Sequence, residues 1–122
     1  MSIVNLNYKN FKVINKDVYI NNKGTPGMLL IHANFCGHCV RFMPKYKELA
    51  KYLGTSFKCY AIESEDMNDS LSKSLEVQYF PTIKFIDQNG KIMGTFPSEQ
   101  ERSVENLLKY ICKVYHHCVK YH

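Results

Sequence analysis

The sequence contains no apolar run approaching the ~18 residues that a membrane span requires. Its opening stretch, Met1-Ser2-Ile3-Val4-Asn5-Leu6-Asn7-Tyr8, lacks the basic region and apolar core of a secretory signal. The closing Lys120-Tyr121-His122 is not a retention address. As written, the chain is therefore expected in the cytoplasm. Arginine is scarce: only Arg41 and Arg102 supply guanidinium groups, and the lysines are scattered. A nucleic-acid footprint would gather Lys and Arg on one face, so the net charge of +5 reads as a mildly basic solvated surface, with no nucleic-acid partner. Repeats, low-complexity tracts and linkers are missing too. The five cysteines, Cys36, Cys39, Cys59, Cys112 and Cys118, are an odd number with no signal peptide, which argues against a structural disulfide framework.

What is present fits one domain spanning residues 1–122, since a chain of this length has no room for two. Its apolar fraction of 45% is enough for one core without staples. Residues 3–6 read as a strand, and residues 11–20 as a helix or as a hairpin turning at Asn15-Lys16-Asp17. The Gly- and Pro-punctuated loop 21–27 leads into residues 28–33, a short apolar run that suits a buried strand. Val40, Phe42, Met43, Tyr46, Leu49, Ala50 and Leu53 recur near a 3.6 period, predicting an amphipathic helix that Gly54 ends and Pro44 kinks. A strand over 57–63 and a helix over 66–75 follow. Residues 82–86 and 92–96 form strands joined across Asn89-Gly90, a hairpin signal. Residues 103–115 form a helix that faces the core through Val104, Leu107, Leu108, Ile111 and either Val114 or Tyr115. The alternation predicts an α/β layer architecture with helices on a mixed sheet.

Cys36-Gly37-His38-Cys39 falls where the buried strand hands over to the helix. Main-chain N–H groups and the macrodipole at a helix N-terminus favour a thiolate. Two intervening residues keep the sulfurs within bonding range, with Cys36 more exposed and Cys39, one turn in, more covered. Cys36 is thus the nucleophile that forms a mixed disulfide and Cys39 the thiol that resolves it, or the flow reverses and a substrate is oxidised. Gly37 lets the turn form and keeps the approach open. His38 can stabilise the Cys36 thiolate and so make the disulfide more oxidising. A zinc site would need two further ligands at recognisable spacing. Cys112, His116, His117 and Cys118 are the clustered candidates and form neither a second Cys-x-x-Cys nor a His-x₃-His, so no metal is expected. No organic cofactor is implied either, because the two sulfurs carry the chemistry as a redox-active disulfide.

With these residues the sequence resembles a protein disulfide isomerase catalytic domain of the thioredoxin superfamily. Cys-Gly-His-Cys is the isomerase form of the motif, and Pro44, five residues after Cys39, stands where the family has its kinking proline. Val77-Gln78-Tyr79-Phe80-Pro81-Thr82 resembles the family's cis-proline segment. The resemblance implies a thioredoxin fold, a central mixed sheet of four to five strands with helices on both faces. It implies that Pro81 is cis and that Phe80 offers its backbone to an extended substrate. Arg102 matches an isomerase arginine that favours deprotonation of the second cysteine. Residues 3–6 with Asn10-Phe11 resemble the usual opening strand and helix. Phe35 replaces the family's Trp and keeps an aromatic lid over the site, and Asn34 replaces its Pro. Leu30 stands where the family buries an acid that shuttles the proton of the second cysteine, and Ala61, or Tyr60 in a shifted register, replaces that acid's lysine partner. Losing both members of a buried charge pair is physically coherent. Proton transfer at Cys39 is then left to water, His38 or Arg102, and resolution is expected to be slow.

His32 reads as a packed or solvent-facing histidine, or as a proton relay. Cys59 reads as a buried core thiol. Cys112 and Cys118, six apart, would not share a helix face and are expected to be independent thiols. The function that follows is disulfide oxidation or isomerisation of protein substrates, with an unidentified electron donor or acceptor as partner. The alternatives are a thioredoxin-like reductase and a non-enzymatic module that binds partners around Pro81. An oxidising pair would be held reduced in the cytosol. Three resolutions follow: a reductase despite His38, a virus-encoded or organellar oxidation pathway, or a fragment. The excess of Lys over Arg, with abundant Asn, Ile and Tyr, fits an AT-rich genome such as that of a large DNA virus or a protist, so a virion or organelle is the alternative expectation for location.

Overall fold

Four consecutive apolar residues, Met28 to Ile31, bounded by turn residues, suit a strand covered on both faces. In the computed structural model, which describes residues 3–121, they form the centre of β4 (Gly27–His32), and each is fully buried. Readings that fall on Met1, Ser2 and His122 lie outside the described residues. The other strands of the sheet are β1 (Val4–Leu6), β5 (Lys58–Glu63), β6 (Thr82–Ile86) and β7 (Ile92–Thr95). Their order is β1-β5-β4-β6-β7, with β1, β5 and β4 parallel and β6 and β7 antiparallel to their neighbours. The sheet is therefore mixed, with five strands, as in the thioredoxin fold.

The pleat sorts the side chains of β4 between two cores. Met28 and Leu30 face one core, where α1 (Gly37–Leu53) and α3 (Val104–Tyr115) pack. Leu29 and Ile31 face the other, under α2 (Asp69–Ser74) and the hairpin of β2 (Phe11–Ile14) and β3 (Asp17–Ile20). Helices thus lie on both faces. Tyr46, fully buried on α1, donates its hydroxyl to the Tyr60 carbonyl at 2.6 Å and so pins the helix to β5.

Several expectations are corrected. The usual opening helix is absent: β1 leads through a 3-10 turn (Tyr8–Asn10) into the β2–β3 hairpin. Asn15 and Lys16, both with positive φ, form its two-residue turn, which matches the strand twist. The second helix starts at Asp69, not at 66. Ser64–Asp66 is a separate 3-10 turn, and Met67 is extended before Asn68 caps the helix by accepting the Leu71 N–H at 2.8 Å. Several remaining element ends fall one residue away from those expected. Val40, assigned to the core stripe of α1, is 60% exposed. On α3 the inward choice is Tyr115, whose ring lies 4.7 Å from Phe85, while Val114 is exposed.

Cys112 and Cys118 are not independent thiols but a disulfide. Helix faces do not govern this pair, because α3 ends at Tyr115 and Cys118 lies beyond it. His116 adopts the left-handed conformation and ends α3, its N–H returning to the Cys112 carbonyl. The chain then doubles back and brings Cys118 over Cys112, with Cα atoms 4.3 Å apart. The same reversal lays His117 against Phe57, ring centroids 5.2 Å apart, and Tyr121 against Tyr52.

Candidate active site

The loop between β4 and α1 delivers the cysteine pair. Cys36 N–H donates to the Ala33 carbonyl at 3.1 Å, and the Asn34 N–H to Glu63 at 2.9 Å. That carboxylate also accepts from the Glu65 N–H at 2.6 Å and the Ser64 hydroxyl at 3.0 Å. Desolvation would raise the pKa of Glu63, but these donors outweigh it and hold it below the usual carboxylate value. Glu63 thereby anchors the loop. Sequence patterning did not single it out, since it reads only as the polar end of a strand. His32 pairs in register with Glu63, and burial lowers its pKa against the pull of Glu63 and Asp66.

Cys36 is the N-cap of α1, and its sulfur accepts the Cys39 N–H at 3.3 Å. Its thiol reaches the Phe80 carbonyl at 3.7 Å, on the loop where the Phe80–Pro81 bond is cis. The pair is in the dithiol state. Desolvation pushes the Cys36 pKa up, but the Cys39 thiol, the Cys39 and His38 main-chain N–H groups and the Arg102 charge overcome it, and the net direction is down. Cys39 is 2% exposed, and burial, reinforced by its neighbour's sulfur, pushes it up to about 11. Two thiols three residues apart are thus separated in both access and ionisation.

Phe35 is 81% exposed and meets Phe80 edge-on, ring centroids 6.2 Å apart. With Phe80 it presents an aromatic surface next to the reactive sulfur.

His38 is exposed, and its ring is held elsewhere: Arg41, one turn on, approaches His38 Nδ1 at 3.1 Å. The same guanidinium lies over Gly37, where a Cβ would meet its Nη1 at 3.2 Å. On the Cys36 sulfur His38 acts through its main-chain N–H. Arg102 lies just before α3, and its charge acts on both sulfurs. The register sets Leu30 opposite Ala61, both fully buried and uncharged, so neither supplies the acid or the lysine that the resemblance associates with the second cysteine.

A dithiol on a helix cap, facing a cis-proline loop on a five-stranded mixed sheet, defines a thiol–disulfide site of the thioredoxin fold. The family profile described as Thioredoxin matches residues 2–113, and the chain belongs to the thioredoxin family, whose chemistry is thiol–disulfide redox. It is 29% identical over 105 residues to the probable protein disulfide-isomerase ER-60 of Schistosoma mansoni, covering 86% of this chain but 22% of that one. It is 32% identical over 84 residues to the thioredoxin of Borreliella burgdorferi, covering 69% of this chain and 71% of that one. The chain thus spans less than a quarter of the schistosome protein's length. Thioredoxin f from spinach chloroplast (short form) superposes with a TM-score of 0.67 at 22% identity, over 91% of each chain.

Proposed function

We propose that this chain exchanges disulfides with protein substrates in the manner of a disulfide oxidase or isomerase. The observation that carries the reading is the placement of the Cys36 sulfur: on the α1 cap, within reach of the Phe80 carbonyl and beside the exposed Phe35, with Cys39 buried one turn on. An extended substrate would lie along the Phe80–Pro81 loop with its sulfur at Cys36. In the reductive direction the Cys36 thiolate attacks one sulfur of a substrate disulfide, forms a mixed disulfide and expels the other as thiolate. Cys39 gives up its proton and attacks the Cys36 sulfur, releasing the second substrate thiolate. The substrate gains two electrons and the Cys36–Cys39 pair becomes a disulfide. The reverse sequence oxidises a substrate dithiol, and isomerisation uses the first step followed by attack of a different substrate thiolate on the substrate sulfur of the mixed disulfide, which forms the new substrate disulfide and releases the Cys36 thiolate. A second thiol–disulfide couple must then reset the pair. No organic cofactor is needed in this scheme.

A thioredoxin-like reductase is the second reading, and one observation favours it: the His38 ring is engaged by Arg41 and not by the Cys36 sulfur. The reduction potential decides between them. Equilibration in glutathione buffers, with alkylated thiols counted by mass, is expected to give about −180 mV for a pair that donates disulfides. A value near about −270 mV would overturn the oxidase reading in favour of the reductase. A partner complex that survives Cys36→Ser would favour the non-enzymatic binding module.

A further inference from the structure

Beside the redox pair, between the first turns of α1 and the segment that precedes α3, opens a cleft of about 430 Å³. His38, two residues after Cys36, stands on its wall, so the cleft borders the reactive sulfur. Three cations line it: Arg41 and Lys45, four residues apart on one helix face, and Arg102 across from them. Glu99 and Glu101 also line the cleft, yet among the described residues the only ion pairs are Lys91–Asp17 and Lys109–Glu105, so none of the three cations has a carboxylate within 4.0 Å. Arg41 directs one N–H toward His38, which leaves four of its five donors free.

We infer that this cleft binds a carboxylate carried by the substrate close to its reacting cysteine, with Arg41 and Lys45 as the specificity-determining residues. The inference rests on the disulfide-exchange reading and names the substrates that this reading prefers. A guanidinium matches the planar, two-oxygen geometry of a carboxylate, and an ammonium adds a second, less directional charge. The carboxylate can belong to an acidic residue of a protein segment or to a small peptide thiol such as glutathione. The chemistry of recognition is the same for both.

The test compares two disulfide-linked fluorogenic peptides that differ only in Glu or Gln two residues from the cysteine. A parallel pair is glutathione disulfide and its ethyl ester. The Glu peptide is expected to show a kcat/KM about three- to tenfold higher, the scale that a few exposed charges give. Salt at about 0.5 M should erase the preference. The ratio should fall towards one in Arg41→Met/Lys45→Met and rise in Glu99→Gln/Glu101→Gln. Opposite shifts from opposite kinds of charge cannot come from general structural damage. Preference in the peptide pair assigns the site to protein segments, and preference in the glutathione pair alone assigns it to the small thiol. Equal rates within both pairs overturn the cleft and leave the exchange reading intact, whereas no reaction with any of the four overturns both.

Discussion

Cys36 and Cys39 are the same residue type one turn apart, and the difference between them is set by what each sulfur faces. Cys36 receives N–H groups and the Arg102 charge, whereas Cys39 is enclosed by the core and a neighbouring sulfur. Alkylation of the reduced protein, followed by mass against pH, is therefore expected to modify Cys36 with a midpoint below a thiol's ordinary 9.0, and Cys39 with one near 11. Coincident profiles would remove the assignment of attacking and resolving roles. Leu30 carries a second expectation. It is fully buried opposite Ala61, so a carboxylate placed there has no cation to pair with. Leu30→Glu should cost about 2–5 kcal/mol by urea unfolding, and its raised pKa should keep the acid largely neutral at pH 7. If the carboxyl takes the place that the resemblance gives to the family's shuttling acid, it relays the Cys39 proton, and release of a mixed disulfide from Cys36 should accelerate in stopped-flow experiments. An unchanged release rate would show that proton transfer does not limit resolution.

Among the elements, the β2–β3 hairpin covers the face of the sheet where an opening helix was expected. It is held at its end: Ile20 N–H donates to the Gly90 carbonyl at 2.9 Å, and Asn22 donates to the Asp87 carbonyl at 2.7 Å. Gly90 has φ +84°, and a Cβ there would run into the Ile20 carbonyl oxygen. Gly90→Ala should therefore destabilise the protein by about 2 kcal/mol or more while leaving the Cys36 alkylation profile in place. The tail offers a matching test. The Cys112–Cys118 disulfide closes a short loop, so Cys112→Ser/Cys118→Ser should lower stability by about 2 kcal/mol in the absence of reductant. What was legible in the sequence follows the same division. Dense local signals marked β4, the Asn89-Gly90 turn, the cap of α1 and the cysteine pair. The hairpin was left open because Asn15-Lys16 lacks the glycine that usually announces such a turn. The disulfide and the Arg41–His38 contact stayed hidden. The first depends on where α3 stops, the second on which way a long side chain folds.

Across the whole molecule, the arrangement that separates the two thiols also ties stability to pH and redox state. In the unfolded chain each thiol ionises near 9.0; in the folded chain Cys39 is pushed up to about 11 and Cys59 to about 12, burial being the first cause in both. Between those values the unfolded chain has released protons that the native chain still holds. The slope of unfolding free energy against pH is then negative. Their contribution is fully present below pH 9 and is lost as pH rises through the folded values. Cys36 works in the other direction: its lowered pKa adds stability as pH rises towards 9.0, and that gain is lost as pH falls through the folded value. The reduced protein should therefore be most stable on the neutral side of pH 9 and weaken steeply above it. Closing the Cys36–Cys39 disulfide removes both active-site thiols from this balance and leaves Cys59 together with Tyr46, Tyr60 and Tyr115, whose hydroxyls burial also holds above their ordinary 10.0. Urea midpoints between pH 8 and pH 10.5 should consequently fall more steeply for the dithiol form than for the disulfide form, and Cys59→Ala should flatten both curves by a similar amount. Parallel curves for the two redox states would mean that Cys39 is not held neutral by its burial, and the resolving thiol would then be as ready to ionise as the attacking one.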